Sequence, residues 1–243
     1  MKAIILAAGV SRRLYPLTYD TPKSLLKLNG KPILDYQLDA LRSVGVKEII
    51  LVLGYYSNLF MEHFAQNHND FKLQIVTNHH FFETNTAYSV QLCSATAKDE
   101  DILLMNADVL YPKELLQRLV SSAHEDLIAV EVKKCGDEEV KVIEGEDKRI
   151  VAIGKKLIQE NALGEFIGVA KFSHQFMAKF FASLDKLIGA GGKSDYFEAA
   201  IDPILAEHRI YYEDVSDLPC KEIDFLEDLE AAKQLVHSEH FNG

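Results

Sequence analysis

Apolar positions in the first half of the chain follow two alternating periods. Ala3 to Leu6, Glu48 to Leu53 and Leu73 to Thr77 are short aliphatic, β-branched runs, whereas Ile33 to Val44 and Asn58 to Gln66 repeat their apolar residues at helical spacing. Strand, helix, strand, helix in that order predicts parallel pairing. Asp101 to Met105 adds a further buried strand, and Pro112 suits the first position of a helix over Lys113 to Ala123. The pattern then changes. Ile128 to Lys133, Val140 to Ile143, Arg149 to Ile153 and Phe166 to Phe172 are short β-like runs punctuated by glycine and charge, which predicts mixed or antiparallel strands. Helical spacing returns over Gln175 to Ile188 and Tyr196 to Glu207, joined by the flexible Gly189-Ala190-Gly191-Gly192. A strand over Arg209 to Glu213 and a helix near Phe225 to His237 follow. The expected fold is α/β: one domain over residues 1–243 with a mostly parallel, Rossmann-like central sheet flanked by helices. Its halves divide near residue 125, and the second, 126–243, carries a small mixed-strand subdomain.

Composition narrows the function classes. With 26 Lys and Arg against 37 Asp and Glu the net charge is −11, which opposes nonspecific binding to nucleic acid or an anionic membrane. A phosphate site must therefore build its own positive field. No apolar run approaches the roughly 20 residues that span a bilayer, and Met1-Lys2 leads directly into a strand, so a cytoplasmic protein is expected. Cys93, Cys135 and Cys220 are far apart and odd in number, which suggests reduced thiols rather than a disulfide framework or zinc knuckle. The sequence is compatible with a homo-oligomer.

The candidate chemistry begins where the first strand ends. Leu6-Ala7-Ala8-Gly9-Val10-Ser11 is a tight, small-residue turn followed by Arg12 and Arg13, and Pro22-Lys23 supplies another cation beyond it. Small residues let backbone N–H groups approach phosphate oxygens at the carboxyl end of a parallel strand. A solvent-exposed basic turn is the plainer alternative. A dinucleotide fingerprint is disfavoured because the second and third glycines and the ribose-binding acid are missing; no Gly-Lys-Ser/Thr spells a Walker loop. Asp108 follows the strand Ile102 to Met105, again at a carboxyl end, and Asp224 precedes the last helix, where capping is its alternative role.

Together, Met1 to Gly9 with Arg13, Pro16-Leu17-Thr18 and Thr21-Pro22-Lys23 resemble the signature of the nucleotidyltransferases that activate sugar 1-phosphates and phosphorylated alcohols. The resemblance implies a glycosyltransferase-A-type nucleotidyltransferase fold, with a nucleotide-binding first half and an acceptor-binding second half. It implies a glycine loop, Leu6 to Arg12, around a triphosphate, Arg13 and Lys23 as the catalytic cations, and Asp108 and Asp224 as ligands of Mg2+. Ser11 stands where the family usually has glycine, and Arg12 where it usually has a neutral residue. The stretch Phe82 to Val90 lacks the glycine turn of the sugar-activating branch and is more similar to cytidylyltransferases of phosphocholine, phosphonates and inositol phosphate. That branch implies CTP and a small phosphorylated acceptor as partners. Asn85 could meet a pyrimidine edge or merely form a turn; Ser89 could join it or start a helix through Ala95; Asn106 borders the same strand end. Lys141, Glu165 and Gly168 fall in stretches similar to the alcohol-phosphate branch, and Asp195 and Tyr196 could hold a cationic acceptor. A phosphate nucleophile needs no general base, in keeping with a chain that shows no Ser-His-Asp arrangement. Two alternatives stay open: a sugar 1-phosphate pyrophosphorylase, and a catalytically silent, nucleotide-sensing relative.

Overall fold

In the computed structural model, which describes residues 1–241, strands and helices alternate through the first half of the chain. They run β1 (Lys2–Ala7), β2 (Lys27–Leu28), β3 (Lys31–Pro32), α1 (Ile33–Ser43), β4 (Glu48–Leu53), α2 (Ser57–Asn67), β5 (Lys72–Thr77), α3 (Thr86–Gln91), α4 (Ser94–Ala97) and β6 (Ile102–Asn106). There follow β7 (Val109–Leu110), α5 (Lys113–Ser121), β8 (Leu127–Glu131), β9 (Lys141–Glu144), β10 (Ile150–Gly154), β11 (Gly164–Phe172) and α6 (His174–Gly189). The last elements are α7 (Glu198–Ile201), β12 (Tyr211–Asp214), β13 (Lys221–Glu222) and α8 (Leu226–Leu235).

The sheet has nine strands, in the order β10-β9-β11-β6-β1-β4-β5, with β8 branching from β11 and β12 pairing with β8. β6, β1, β4 and β5 are parallel, and β11 reverses direction beside β6. Both faces are covered, as a parallel sheet requires. Ile4, Leu6, Ile50 and Val52 point into one core with Phe176 and Phe180 of α6, while Ala3, Ile5, Ile49 and Leu51 point into the other with Leu38 of α1 and Leu116 of α5. This is strand alternation buried on two sides, and it explains the unbroken apolar runs of β1 and β4.

Two expectations change. The helix expected over Tyr196 to Glu207 is only α7, followed by a 3-10 turn at Asp202–Ile204. Pro203 lacks the N–H that an α-helix needs there, and the Asp202 carboxylate accepts instead from the Ile153 N–H at 2.9 Å. Pro112 precedes α5 with extended backbone rather than occupying its first turn.

Candidate active site

The site grows from the point where the sheet changes direction. From β1 the chain passes outward to β4 and β5, then returns across β1 to lay down β6 on its other side. Ligands in such sheets bind beyond the carboxyl ends of the strands that flank this switch. Leu6 of β1 lies opposite Asn106 of β6, so the Gly9 loop and Asp108 open into one crevice. The loop is tightly held. Ser11 adopts φ 54, ψ 45, so it keeps the left-handed turn for which glycine is the usual residue, and its carbonyl accepts from Thr18 Oγ1 at 2.8 Å. Gly54, just past β4, lies so close that a Cβ there would stand 2.8 Å from the Ala8 carbonyl oxygen.

Asp224 arrives from the far end of the chain. β13 pairs antiparallel with β7, and the Ile223 N–H donates to the Asp108 carbonyl at 3.0 Å, which sets the two aspartates side by side. Asp224 is not the cap of α8, because Asp228 Oδ2 accepts from the Asp224 and Phe225 N–H groups. Its carboxylate faces Lys23 and Arg13 instead. Lys23 Nζ lies 2.8 Å from both Asp108 Oδ2 and Asp224 Oδ1, and Arg13 Nη1 lies 2.8 Å from Asp224 Oδ2. Burial alone would lower the Lys23 ammonium, but the carboxylates of Asp108 and Asp224 outweigh it and hold the group above its ordinary value. Asp108 Oδ1 is buried with no hydrogen-bond partner. Glu222, exposed at the surface, brings a third carboxylate, with one oxygen from each of the three groups inside a 4.8 Å cluster; desolvation and then the two aspartates push Glu222 up. From beneath, the buried Gln37 of α1 donates from Nε2 to the Asn106 and Val109 carbonyls at 2.8 Å each, clamping the turn that bears Asp108.

These groups form one end of a cleft of about 880 Å³. Leu6, Ala8, Gly9, Ser11, Arg12 and Arg13 line that end, with Arg12 on the rim 5.5 Å from the Phe82 ring. Ala7 borders a smaller adjoining hollow, and Val10 lines neither. On the cleft wall, Asn85 caps α3 by accepting from the Thr86 N–H at 2.8 Å. Ser89 is buried inside that helix rather than at its start, taking a 3.1 Å hydrogen bond from Asn78 Nδ2.

The charged lining contributed by the second half of the chain is mostly acidic. Glu165 flanks Lys133 at 2.6 Å, with Glu131 on the other side at 2.7 Å. Gly168, at φ +75, leaves room for the Asn106 amide, which a Cβ would meet at 2.4 Å. Tyr196 lines the cleft under the Lys155 ammonium, 4.4 Å from its ring centroid. Two candidates fall outside. Lys141 is buried with its Nζ donating to the carbonyls of Asp137, Glu139 and Lys155, so it shapes the loop instead of facing the cleft. Asp195 is exposed beside Gly192, where Gly191 at φ +97 turns the chain back from α6.

The sequence profile described as nucleotidyl transferase matches residues 2–153, which hold the Gly9 loop, Lys23 and Asp108. The chain belongs to the nucleotidyl transferase family. This nucleotidyltransferase is 29% identical to the CTP:phosphoglutamine cytidylyltransferase of Campylobacter jejuni, over 95% of this chain and 98% of that one. It is 26% identical to the choline-phosphate cytidylyltransferase of Streptococcus pneumoniae, over 99% and 100% of the two chains. Its fold matches the solved CTP:phosphocholine cytidylyltransferase of Streptococcus pneumoniae with a TM-score of 0.82 at 24% identity, covering 97% and 98% of the chains. Among the described residues, no helix is long and apolar enough to cross a membrane.

Three residues in or behind the cleft escape the sequence pattern. Glu222 was discoverable, since it stands two residues before Asp224 with the buried Ile223 between them. Gly54 reads in sequence as a strand terminus, and only its approach to the Ala8 carbonyl reveals its part in the loop. Glu198 begins α7 beside the core residue Phe197, is itself 4% exposed, and lines the cleft. Its Oε2 has no partner, and burial, only partly offset by its own backbone N–H and Lys155, pushes the group up to about 7.

Proposed function

We propose that this nucleotidyltransferase transfers CMP from CTP to a small phosphorylated alcohol or phosphonate and releases pyrophosphate. The observation that carries the proposal is the Lys23–Asp108–Asp224–Arg13 assembly under the Gly9 loop, in a cleft of about 880 Å³ whose lining also holds Glu131, Glu165 and Glu198. The cytidine and the small acceptor are inferred from the two relatives that match nearly end to end.

In this scheme an oxygen of the acceptor phosphate forms a bond to the α-phosphorus, the bond from that phosphorus to the β-bridging oxygen breaks, and pyrophosphate takes the electron pair. A phosphate monoester has its second pKa near 6, so it enters already ionised and no side chain needs to remove a proton. The protein's work is in-line placement and charge neutralisation. Lys23 and Arg13 would neutralise the triphosphate, and the loop of Ala8, Gly9 and Ser11, which lines the cleft, would offer it backbone N–H groups. Asp108, Asp224 and Glu222 suit Mg2+: the ion favours hard oxygen ligands, one Asp108 oxygen is buried and unpartnered, and the three carboxylates converge. When bound, the ion would add positive charge beside the phosphates. At the acceptor end, the unpartnered Glu198 oxygen calls for a donor, which an ammonium or hydroxyl of the acceptor supplies.

The test is pyrophosphate release with CTP, UTP and dTTP, each offered with phosphocholine, phosphoethanolamine, aminoethylphosphonate, inositol phosphate and glucose 1-phosphate. Turnover with CTP and one of the first four is expected. Preference for glucose 1-phosphate would make the chain a sugar 1-phosphate pyrophosphorylase, and nucleotide binding without any turnover would make it a sensing relative.

A further inference from the structure

Outside the cleft, three ligating atoms converge between α1 and the end of α2. Asp35 Oδ1 lies 2.6 Å from His63 Nε2 and 3.0 Å from His68 Nε2, and the two nitrogens are 3.2 Å apart. Their remaining contacts fix the protons. A guanidinium only donates, so the 2.9 Å contact from Arg42 Nη2 makes His68 Nδ1 an acceptor and leaves the His68 proton on Nε2. The Asn67 Nδ2 group, which donates to the His63 carbonyl, likewise faces His63 Nδ1 at 3.3 Å. Both imidazoles therefore aim an N–H at one carboxylate oxygen from nitrogens that nearly touch. If either nitrogen instead gives up its proton, its lone pair faces the ionised Asp35. A single cation set just off the plane of the three atoms meets all of them at about 2.1 Å, the usual zinc–imidazole distance.

We propose that Asp35 Oδ1, His63 Nε2 and His68 Nε2 form a binding site for one divalent transition-metal ion of the Zn2+ class, with water as the fourth ligand. Two imidazoles and a carboxylate are a donor set that such ions favour over Mg2+. The site is reachable but sheltered, since Asp35 and His63 side chains are each 16% exposed and His68 is 6% exposed. Each histidine moves its proton from Nε2 to Nδ1 on binding. The Asn67 side chain gives up its hydrogen bond to the His63 carbonyl and swings its oxygen to accept one proton; Arg42 releases His68 to make room for the other. Arg42 stays satisfied, because it donates to Asp70 through Nε and Nη2 at 2.8 Å each and to Asp39 through Nη1 at 2.9 Å. The ion would tie α1 to the corner leading into β5, two residues from the Gln37 clamp. The proposal does not depend on the identity of the substrates.

Calorimetric titration of untagged protein with Zn2+, in saturating Mg2+, tests the site, with Co2+ absorption as a check on geometry. One Zn2+ per chain is expected, at an affinity unchanged in Asp108→Asn and weakened at least about tenfold in His63→Ala and in His68→Gln. At a hundredfold excess over Kd, Zn2+ should raise the thermal midpoint of the unsubstituted chain by roughly 5–10 °C. His63→Ala is at a partly exposed position, so its folding can be checked independently by circular dichroism. The proposal is overturned if Zn2+ does not bind, if it binds equally well to a folded His63→Ala chain, or if Asp108→Asn alone abolishes binding.

Discussion

The two ends of the cleft treat buried charge in opposite ways. At the Gly9 loop two cations have a carboxylate within 2.8 Å: Lys23 bridges Asp108 and Asp224, and Arg13 holds Asp224. At the other end Glu198 sits in the interior with an oxygen that nothing in the chain satisfies. The first arrangement pairs its cations before any substrate arrives and leaves only Asp108 Oδ1 without a partner. The second is incomplete by itself and becomes satisfied only with a donor from outside. Preorganised charge is what phosphoryl chemistry demands, whereas an unmet acceptor is what selects a particular small molecule.

The strongest way to break this contrast is to remove the charge at the paired end. Lys23→Met should cost roughly 3–4 kcal/mol of transition-state stabilisation, two to three orders of magnitude in kcat/KM, with the fold preserved. Arg13→Ala should follow, and Arg12→Ala should lose least, since Arg12 sits on the rim against Phe82 rather than on a carboxylate. Steady-state rates of the three variants decide the order; a larger loss for Arg12→Ala would mean that the triphosphate lies along the rim.

The incomplete end is sharpened by pH. Glu198 rises from an ordinary 4.5 to about 7 on folding, so between those values the unfolded chain loses a proton that the native chain keeps, and stability falls as pH rises. At about 1.36 kcal/mol per pKa unit the cost approaches about 3 kcal/mol above pH 7 and vanishes below pH 4.5. Glu198→Gln should therefore stabilise the chain by about 3 kcal/mol at pH 8 and hardly at all at pH 4, measured by urea unfolding, while raising KM for the acceptor. Equal gains at both pH values would show that folding does not raise the Glu198 carboxyl.

The smallest effect is expected from Ser11→Gly. The left-handed backbone at φ 54 strains a serine, but glycine gives back part of the gain as chain entropy, so the stability change should stay within about 1 kcal/mol and the rate should hold. A loss of rate would assign the Ser11 hydroxyl to the phosphates.

The long parallel strands were legible because burial on both faces leaves continuous apolar runs, and β1, β4 and β5 lie within a residue of where the pattern puts them. The short pairings were not. β2 and β3 are two residues each, joined by Asn29-Gly30 at φ 50 and 94; that dipeptide is a hairpin signal, but strands this short show no alternation. β7 and β13 are equally short, and their pairing, which carries Glu222 and Asp224 to Asp108, spans more than a hundred residues. Asp108 and Lys23 could be singled out from strand-end position and motif. Glu198 could not, because one charged residue opening an apolar helix looks like a solvated end until the chain has folded over it.

The β7–β13 pairing also sets a timetable. A ribosome releases Lys23 and Asp108 early, yet the carboxylate that completes their cluster stands at position 224, one short helix from the end of the described chain. A nascent or prematurely terminated chain can close its parallel sheet and still present Lys23 to a single aspartate. Until position 224 is made, Lys23 thus lacks one of the two carboxylates that hold it.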